Sequence, residues 1–170
     1  MAKNIMIFEK VVRIYKDNIY GFLLKTLRNP EDAEDLTQEV FLAFYKHMKN
    51  VKKDSYKAYL FQTAYHKALN HIKKQKQNKT YTQADLLNIS QPEEDKNNLA
   101  VKEKTIKTAL AKLPPKYQLI LELQFYQNLS YKEIAKILNT SVSAVDSRLV
   151  RAKKKLKKII SQDFPTLMSN

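Results

Sequence analysis

Glycine is almost absent from this chain, which has one, Gly21, among its 170 residues. Glycine supplies the left-handed backbone conformations on which tight β-hairpin turns and phosphate-binding loops depend. Its scarcity argues against an all-β fold and excludes the glycine-rich loops of Walker and dinucleotide-binding proteins. A chain with so little glycine has to be built mainly from helices.

The spacing of the apolar residues is helical along most of the chain. The first helix is predicted to end at Asn29-Pro30, because the residue before a proline is pushed out of the α region. Pro30 then suits the first turn of a second helix. A third helix is predicted over about residues 55–76. The second helix has the clearest apolar stripe: Leu36, Val40, Phe41, Phe44 and Met48.

The composition changes between residues 73 and 100, where lysines and other polar residues replace the apolar pattern. This change predicts an all-α fold of two small helical domains, residues 1–78 and 99–170, joined by a flexible linker over residues 79–98.

Residues 130–156 have the pattern of a helix-turn-helix. Ser130 and Glu133 have the spacing of a capping box at the start of a short helix, and a polar turn at residues 139–141 precedes a longer one. The longer helix has an apolar inner stripe and an outer face of small and basic residues, which can enter the major groove of DNA. That outer face carries Ala144, Ser147, Arg148 and Arg151, followed by Lys153, Lys154 and Lys155.

The net charge of the chain points to a polyanionic partner. Lysine and arginine number 31 against 17 acidic residues, which gives +14 and favours nucleic acid or an anionic membrane surface. No apolar run approaches the roughly 18 residues that span a bilayer, so we expect a cytoplasmic protein without membrane insertion. The chain has no cysteine and only three scattered histidines, so no catalytic, metal or cofactor site is expected.

Five carboxylates lie within residues 31–39 of this basic chain. The positive end of the helix dipole accounts for Glu31 and Asp32, but not for Glu39, which lies more than two turns further on. A paired metal site is one alternative, although no histidine is near enough to help. An acidic patch for a basic partner fits better.

Two sets of motifs resemble the bacterial sigma-70 family, and most closely its extracytoplasmic-function (ECF) group. In the C-terminal half, four segments resemble region 4 of that family: Leu113–Lys116, Leu129–Ala135, Ser141–Leu149 and Arg151-Ala152. In the N-terminal half, three segments resemble regions 2.2 to 2.4: Asp32–Phe41, Ala58–Leu60 and Ala64–Lys74. The resemblance covers about residues 8–158, and the two signatures in the right order are more specific than either alone.

The resemblance implies an alternative sigma factor, which gives RNA polymerase its promoter specificity and is not an enzyme. The first domain would dock on the β′ clamp of core RNA polymerase and open the minus-10 element. The second would bind the minus-35 duplex and the β flap. Promoter DNA is thus an implied partner, and an anti-sigma factor is a further candidate.

The resemblance also implies three groups of site residues. The polymerase-binding group is Asp35, Leu36, Gln38, Glu39 and Phe41. The minus-10 group is Tyr65, His66, Lys67, Asn70, Lys73 and Lys74. The minus-35 group is Ser143, Ala144, Asp146, Ser147, Arg148, Arg151 and Lys154.

Asp146 departs from the family pattern, because members often carry a basic residue there. Its carboxylate can accept a hydrogen bond from cytosine N4, cap its own helix or repel phosphate, and the sequence leaves these three roles open.

Three other classes of protein fit less well. A free-standing helix-turn-helix regulator usually dimerises on a palindrome and has no use for the acidic motif. A nucleic-acid enzyme needs a catalytic or metal constellation. A peripheral membrane protein needs an exposed apolar face behind its basic one.

Overall fold

Seven α-helices make up the part of the chain that the structure, a computed structural model, describes: residues 1–78 and 98–165. They are α1 (Ala2–Leu27), α2 (Pro30–His47), α3 (Tyr56–Asn78), α4 (Asn98–Lys112), α5 (Pro115–Phe125), α6 (Tyr131–Leu138) and α7 (Val142–Asp163). These ranges contain no strand, so the predicted all-α class is confirmed. Residues 79–97 of the predicted linker lie outside the described residues, and Asn98 already belongs to α4.

Helices α1 to α3 form the first half of the fold. Arg28 ends α1 in the left-handed conformation, with φ 56°, and the Asn29 side chain caps α2 by accepting a hydrogen bond from the Asp32 N–H at 3.1 Å. Pro30 occupies the first turn of α2, as predicted. The five residues of the predicted α2 stripe are all buried in the core.

Helices α4 to α7 form the second half, and α5 lies at its centre. Seven consecutive residues of α5, Tyr117 to Leu123, are buried. A helix on a protein surface buries one face only. Helix α5 is buried all round because α7 packs on one side of it, while α1 and α3 of the first half pack on others.

The contact between the halves, which we call the seam, includes polar as well as apolar groups. The Gln118 side-chain amide donates to the Thr26 carbonyl at 3.2 Å, and Lys57 forms an ion pair with Glu133 at 2.9 Å. Ile137 of α6 is 1% exposed. It lies beside Lys57 of α3, because α6 packs on α3 as well as on α7.

One carboxylate is buried at the seam. Glu122 of α5 is 2% exposed, and its Oε2 atom has no hydrogen-bond partner among the described residues. Burial raises the pKa of Glu122 to about 7, although the positive charges of Lys25, Arg28 and Lys107 act in the opposite direction.

No helix of the described ranges is both long enough and apolar enough to cross a lipid bilayer.

Gly21 provides a test of how far helix propensity limits stability. It lies inside α1, and a Cβ atom built on it would meet nothing within 4 Å. Gly21→Ala should therefore raise the free energy of unfolding by about 0.5–1 kcal/mol, measured by urea denaturation. The reverse change in the next helix, Ala43→Gly, should lower it. A less stable Gly21→Ala variant would show that α1 needs the glycine for a reason other than space.

Glu122 provides a test of the seam by pH. Its pKa in the folded chain is about 7 against an ordinary value of 4.5, so the folded state holds the proton more tightly than the unfolded state. The free energy of unfolding should therefore fall as the pH rises from about 4.5 to about 7, because the proton that the folded state holds on Glu122 is lost. The total decrease should be up to about 3 kcal/mol. The free energy of unfolding of the Glu122→Gln variant should not show this decrease. Parallel stability curves for the two proteins between about pH 5 and about pH 8 would contradict the assignment.

Candidate nucleic-acid interface

The two helices of the helix-turn-helix begin at side-chain caps. In the predicted capping box, the Glu133 N–H donates to Ser130 Oγ at 3.1 Å and the Ser130 N–H donates to Glu133 Oε2 at 2.9 Å. Ser141 caps α7 by accepting from the Ala144 N–H at 3.1 Å. The hydrogen bonds of Ser130 and Lys57 to the Glu133 carboxylate lower its pKa.

The turn between α6 and α7 depends on a left-handed residue. Asn139 has φ 52° and ends α6, and the N–H of Thr140 donates to the Ala135 carbonyl at 2.9 Å. Asparagine is one of the few residues other than glycine that adopt this conformation readily. A sharp turn is thus formed without glycine.

Helix α7 has the two faces that its sequence predicts. Val145, Leu149 and Ala152 are fully buried. In the predicted minus-35 group, Ala144 and Arg148 are half-buried, and the others are exposed: Ser143, Asp146, Ser147, Arg151 and Lys154. A continuous exposed face of small, acidic and basic side chains is therefore available to a major groove.

The lysines beyond that face are held in part by aromatic rings. Lys153 lies over the Phe125 ring with 5.4 Å from its Nζ to the ring centroid, and Lys155 lies over the Tyr117 ring at 5.6 Å. Such contacts bring weak attraction and limit the positions of the ammonium groups. They place positive charge along the middle of α7.

Some residues of the predicted polymerase-binding group are exposed and others are buried. Asp35, Gln38 and Glu39 are exposed on α2, whereas Leu36 and Phe41 belong to the core. Phe41 and Gln38 line a groove of about 370 Å³ together with exposed Leu42 and with Phe8 and Val12 of α1. The acidic face of α2 thus borders an apolar groove, and the two buried residues shape this surface from beneath.

The predicted minus-10 group is also divided. His66, Asn70, Lys73 and Lys74 are exposed on α3, but Tyr65 is only 6% exposed. Lys67 is half-buried and pairs with Glu39 at 3.0 Å. A residue predicted for DNA and one predicted for polymerase are therefore bound to each other in this structure.

Tyr65 is buried at the seam, near Arg148 of α7. Burial raises the pKa of the Tyr65 hydroxyl, and the nearby positive charge of Arg148 acts in the opposite direction. One residue of the predicted minus-10 group is therefore buried within reach of the charge of one residue of the predicted minus-35 group. A base could not stack on Tyr65 in this arrangement, because stacking needs an open ring face.

Among the residues that the structure describes, no group of three or more histidine, cysteine, aspartate or glutamate side chains could hold a metal ion.

Three residues with clear contacts were missed by sequence reasoning: Lys57, Gln118 and Glu122. Each acts across the seam, where its partners are distant in sequence and no local pattern marks them. The one available signal was that polar Gln118 and Glu122 fall within the apolar run of α5.

Models of two protein families match the chain. Residues 11–78 match the family described as sigma-70 region 2, and residues 103–156 match the family described as sigma-70, region 4. The two matches together include most of the residues of the described helices.

Named relatives match over most of their length. The chain is 31% identical over 165 residues to the ECF RNA polymerase sigma factor SigW of Bacillus subtilis (strain 168), covering 89% of this chain and 87% of SigW. It is 28% identical over 158 residues to the ECF RNA polymerase sigma factor SigM of the same organism, covering 92% of this chain and 97% of SigM.

Two solved structures share the fold. The sigma factor RpoE from Bartonella quintana, in complex with the anti-sigma factor NepR, has a TM-score of 0.64 at 18% identity, over 91% of this chain and 96% of RpoE. CnrH, in complex with the cytosolic domain of CnrY, has a TM-score of 0.67 at 20% identity, over 92% of this chain and 88% of CnrH.

Proposed function

The chain belongs to the sigma-70 family, in its extracytoplasmic-function group, and on that premise we propose how its surfaces divide the work of starting transcription. It is an alternative sigma factor that binds core RNA polymerase and directs promoter recognition. Sigma factors are DNA-recognition subunits and not catalysts, and we propose that this chain has no enzymatic activity of its own. It would act in the cytoplasm, where its polymerase and promoters are.

The polymerase surface that we propose is the exposed acidic face of α2. Asp35, Gln38 and Glu39 would contact the β′ clamp helices, while Leu36 and Phe41 hold α2 in place from the core. Opposite charges across an interface speed association and disfavour wrong partners, which suits a small acidic face on a basic protein. The adjoining apolar groove would add buried area to the contact.

The exposed part of α3 is the proposed minus-10 surface. His66, Asn70, Lys73 and Lys74 already lie open to solvent. Lysines can follow the backbone of a melted strand, and an imidazole or an amide can hold an unstacked base. Tyr65 and Lys67 would join them once Arg148 and Glu39 have moved away.

The proposed minus-35 surface is the outer face of α7. Ser147 and Arg151 lie one turn apart on the side opposite the buried stripe, and Asp146 lies beside them. Arginine can bind guanine through two hydrogen bonds, whereas Lys154 at the end of the face would bind phosphate. We further propose that the β flap contacts this half of the chain.

An anti-sigma protein is also a proposed partner. The relatives RpoE and CnrH share this fold, and their complexes contain the anti-sigma factor NepR and the cytosolic domain of CnrY, respectively. The alternative of a free-standing helix-turn-helix regulator is not favoured, because it leaves the region 2 match and its acidic face without a role.

One observation carries the proposal: both sigma regions occur on one chain, in order, and each presents an exposed surface of suitable charge. The test is to mix the purified chain with core RNA polymerase and a library of promoter fragments. A stoichiometric complex that initiates at defined sites is expected. Tight dimeric binding of the free chain to a palindrome, without initiation, would support the regulator instead.

Charge reversal at Asp35 tests the polymerase surface. Asp35→Lys should weaken binding to core polymerase by roughly tenfold or more, because it places a like charge against a basic partner. Circular dichroism should be unchanged, since the side chain is exposed. The matched control is Asp17→Lys on α1, which makes the same charge change outside the acidic face. Equal affinities for the two variants would contradict the assignment.

Substitutions on α7 test how its outer face reads DNA. Arg151→Ala should cost roughly 1–3 kcal/mol and relax the preference at one or two base pairs. Lys154→Ala should weaken binding to all sequences alike and lower the salt slope by about one unit. Selection from randomised minus-35 sequences measures both effects.

Asp146→Ala extends the same selection. If Asp146 accepts a hydrogen bond from a cytosine, the preferred base will change at one position. Ser141, not Asp146, caps α7, so if Asp146 only repels phosphate, affinity will rise for every sequence by the same factor. An unaltered selected motif for both Arg151→Ala and Asp146→Ala would mean that another face of α7 enters the groove.

A further inference from the structure

A cavity of about 540 Å³ opens at the seam, and no residue of α7 is among those that line it. Its size falls within the range of sites for small molecules, about 300–1,000 Å³. Both halves of the chain contribute to it: Lys25 and Arg28 from the first, and Lys104, Lys107, Glu122 and Tyr126 from the second. The cavity therefore exists only while the two halves are packed together.

The charge of the cavity favours an anion. Four basic side chains line it, and Glu122 is the one acidic residue in the lining. Glu103 lies at the edge, where it pairs with Lys107 at 3.1 Å. Both members of that pair are largely exposed, so the pairing is weak and readily exchanged. Lys25 lies 3.7 Å from the centroid of the Tyr126 ring, which keeps its ammonium group at the wall of the cavity.

Glu122 limits which anion can bind. Its Oε2 atom is buried and has no hydrogen-bond partner among the described residues. A buried polar atom without a partner is costly, and a donor brought by a ligand would relieve that cost. An inorganic anion could bind the basic side chains, but it would bring its own negative charge towards this carboxyl group. The fitting ligand carries negative charge at one end and an N–H or O–H donor at the other.

Arg28 adds an independent indication. It occupies a left-handed position at the end of α1, with φ 56°, where glycine or asparagine is the usual residue. An arginine held in this conformation is strained by its own Cβ atom. The backbone gives no reason for an arginine at this position. Its place in the lining of the cavity does, because the guanidinium can bind an anion there.

We infer that the cavity binds a nucleotide, with its phosphates on Lys25, Arg28, Lys104 and Lys107 and a base or ribose donor on Glu122. The occupant touches both halves and so stabilises their packing, as any ligand stabilises the state to which it binds. That packing keeps Tyr65 buried. The occupied chain should therefore bind polymerase less well, a consequence that rests on the proposed function.

The first experiment measures binding to the free, full-length chain by calorimetry. The probes are the four ribonucleoside triphosphates, with inorganic pyrophosphate as the test of charge alone. At least one nucleotide should bind more tightly than pyrophosphate. If no nucleotide binds, or if pyrophosphate binds as tightly as all four, the inference is overturned.

Three variants assign the contacts. Arg28→Gly removes the cation and relieves the backbone strain, so it should fold at least as stably and bind both probes about tenfold more weakly. Glu122→Leu should weaken the nucleotide alone and leave pyrophosphate binding unchanged or tighter. Lys104→Ala should weaken both probes, whereas Lys102→Ala, on the same helix outside the cavity, should change neither. Equal losses for Lys102→Ala and Lys104→Ala would show adventitious binding to a basic protein and overturn the inference.

The second experiment adds core polymerase. The nucleotide that binds should weaken the association of the wild-type chain with polymerase, and the association of Arg28→Gly should not respond. A nucleotide that binds without changing polymerase affinity would overturn the regulatory role. A chain that never binds polymerase would overturn the proposed function instead, and the calorimetry on the free chain would still decide the site.

Discussion

The burial of α5 on every side is the constraint on which the rest of this structure depends. A helix of 11 residues with seven consecutive buried positions must have neighbours all around it. Helix α7 supplies one wall, and α1 and α3 supply the others. The two halves consequently share a single core. Polar residues at the centre must then find partners within the protein, as Gln118 does on the Thr26 carbonyl, or remain without one, as Glu122 Oε2 does.

Much of the fold could be predicted because its signals are local. Pro30, the capping box of Ser130 and Glu133, and the polar turn at residues 139–141 act within a few residues of themselves, and each is found where the pattern placed it. The buried stripe of α7 was equally clear, because a period of 3.6 is visible in one stretch of sequence. The family match then followed from motifs that lie on these same elements.

The seam could not be predicted in this way. It joins residues far apart in sequence, such as Lys57 with Glu133, and nothing near either residue marks the other. Ile137 is buried for a similar reason, because α6 packs on both α3 and α7. Resemblance alone did not distinguish side chains that can touch a partner from those that hold a helix in place. Tyr65, which the resemblance assigned to promoter DNA, proved to be buried, whereas the apolar stripe of α2 had already predicted that Leu36 and Phe41 are buried.

The ion pair between Lys67 and Glu39 has a consequence for genetics. The two residues belong to different proposed surfaces, yet each holds the other in the free chain at 3.0 Å. A substitution of Glu39 that impairs promoter opening would then not show that Glu39 touches DNA, since it also releases Lys67. Second-site suppressors could arise across the pair, with a change on one helix compensating a change on the other. The double variant Glu39→Lys with Lys67→Glu would keep the ion pair but reverse the charge that each surface presents. It would therefore distinguish an effect of losing the ion pair from an effect of losing a contact with polymerase or DNA.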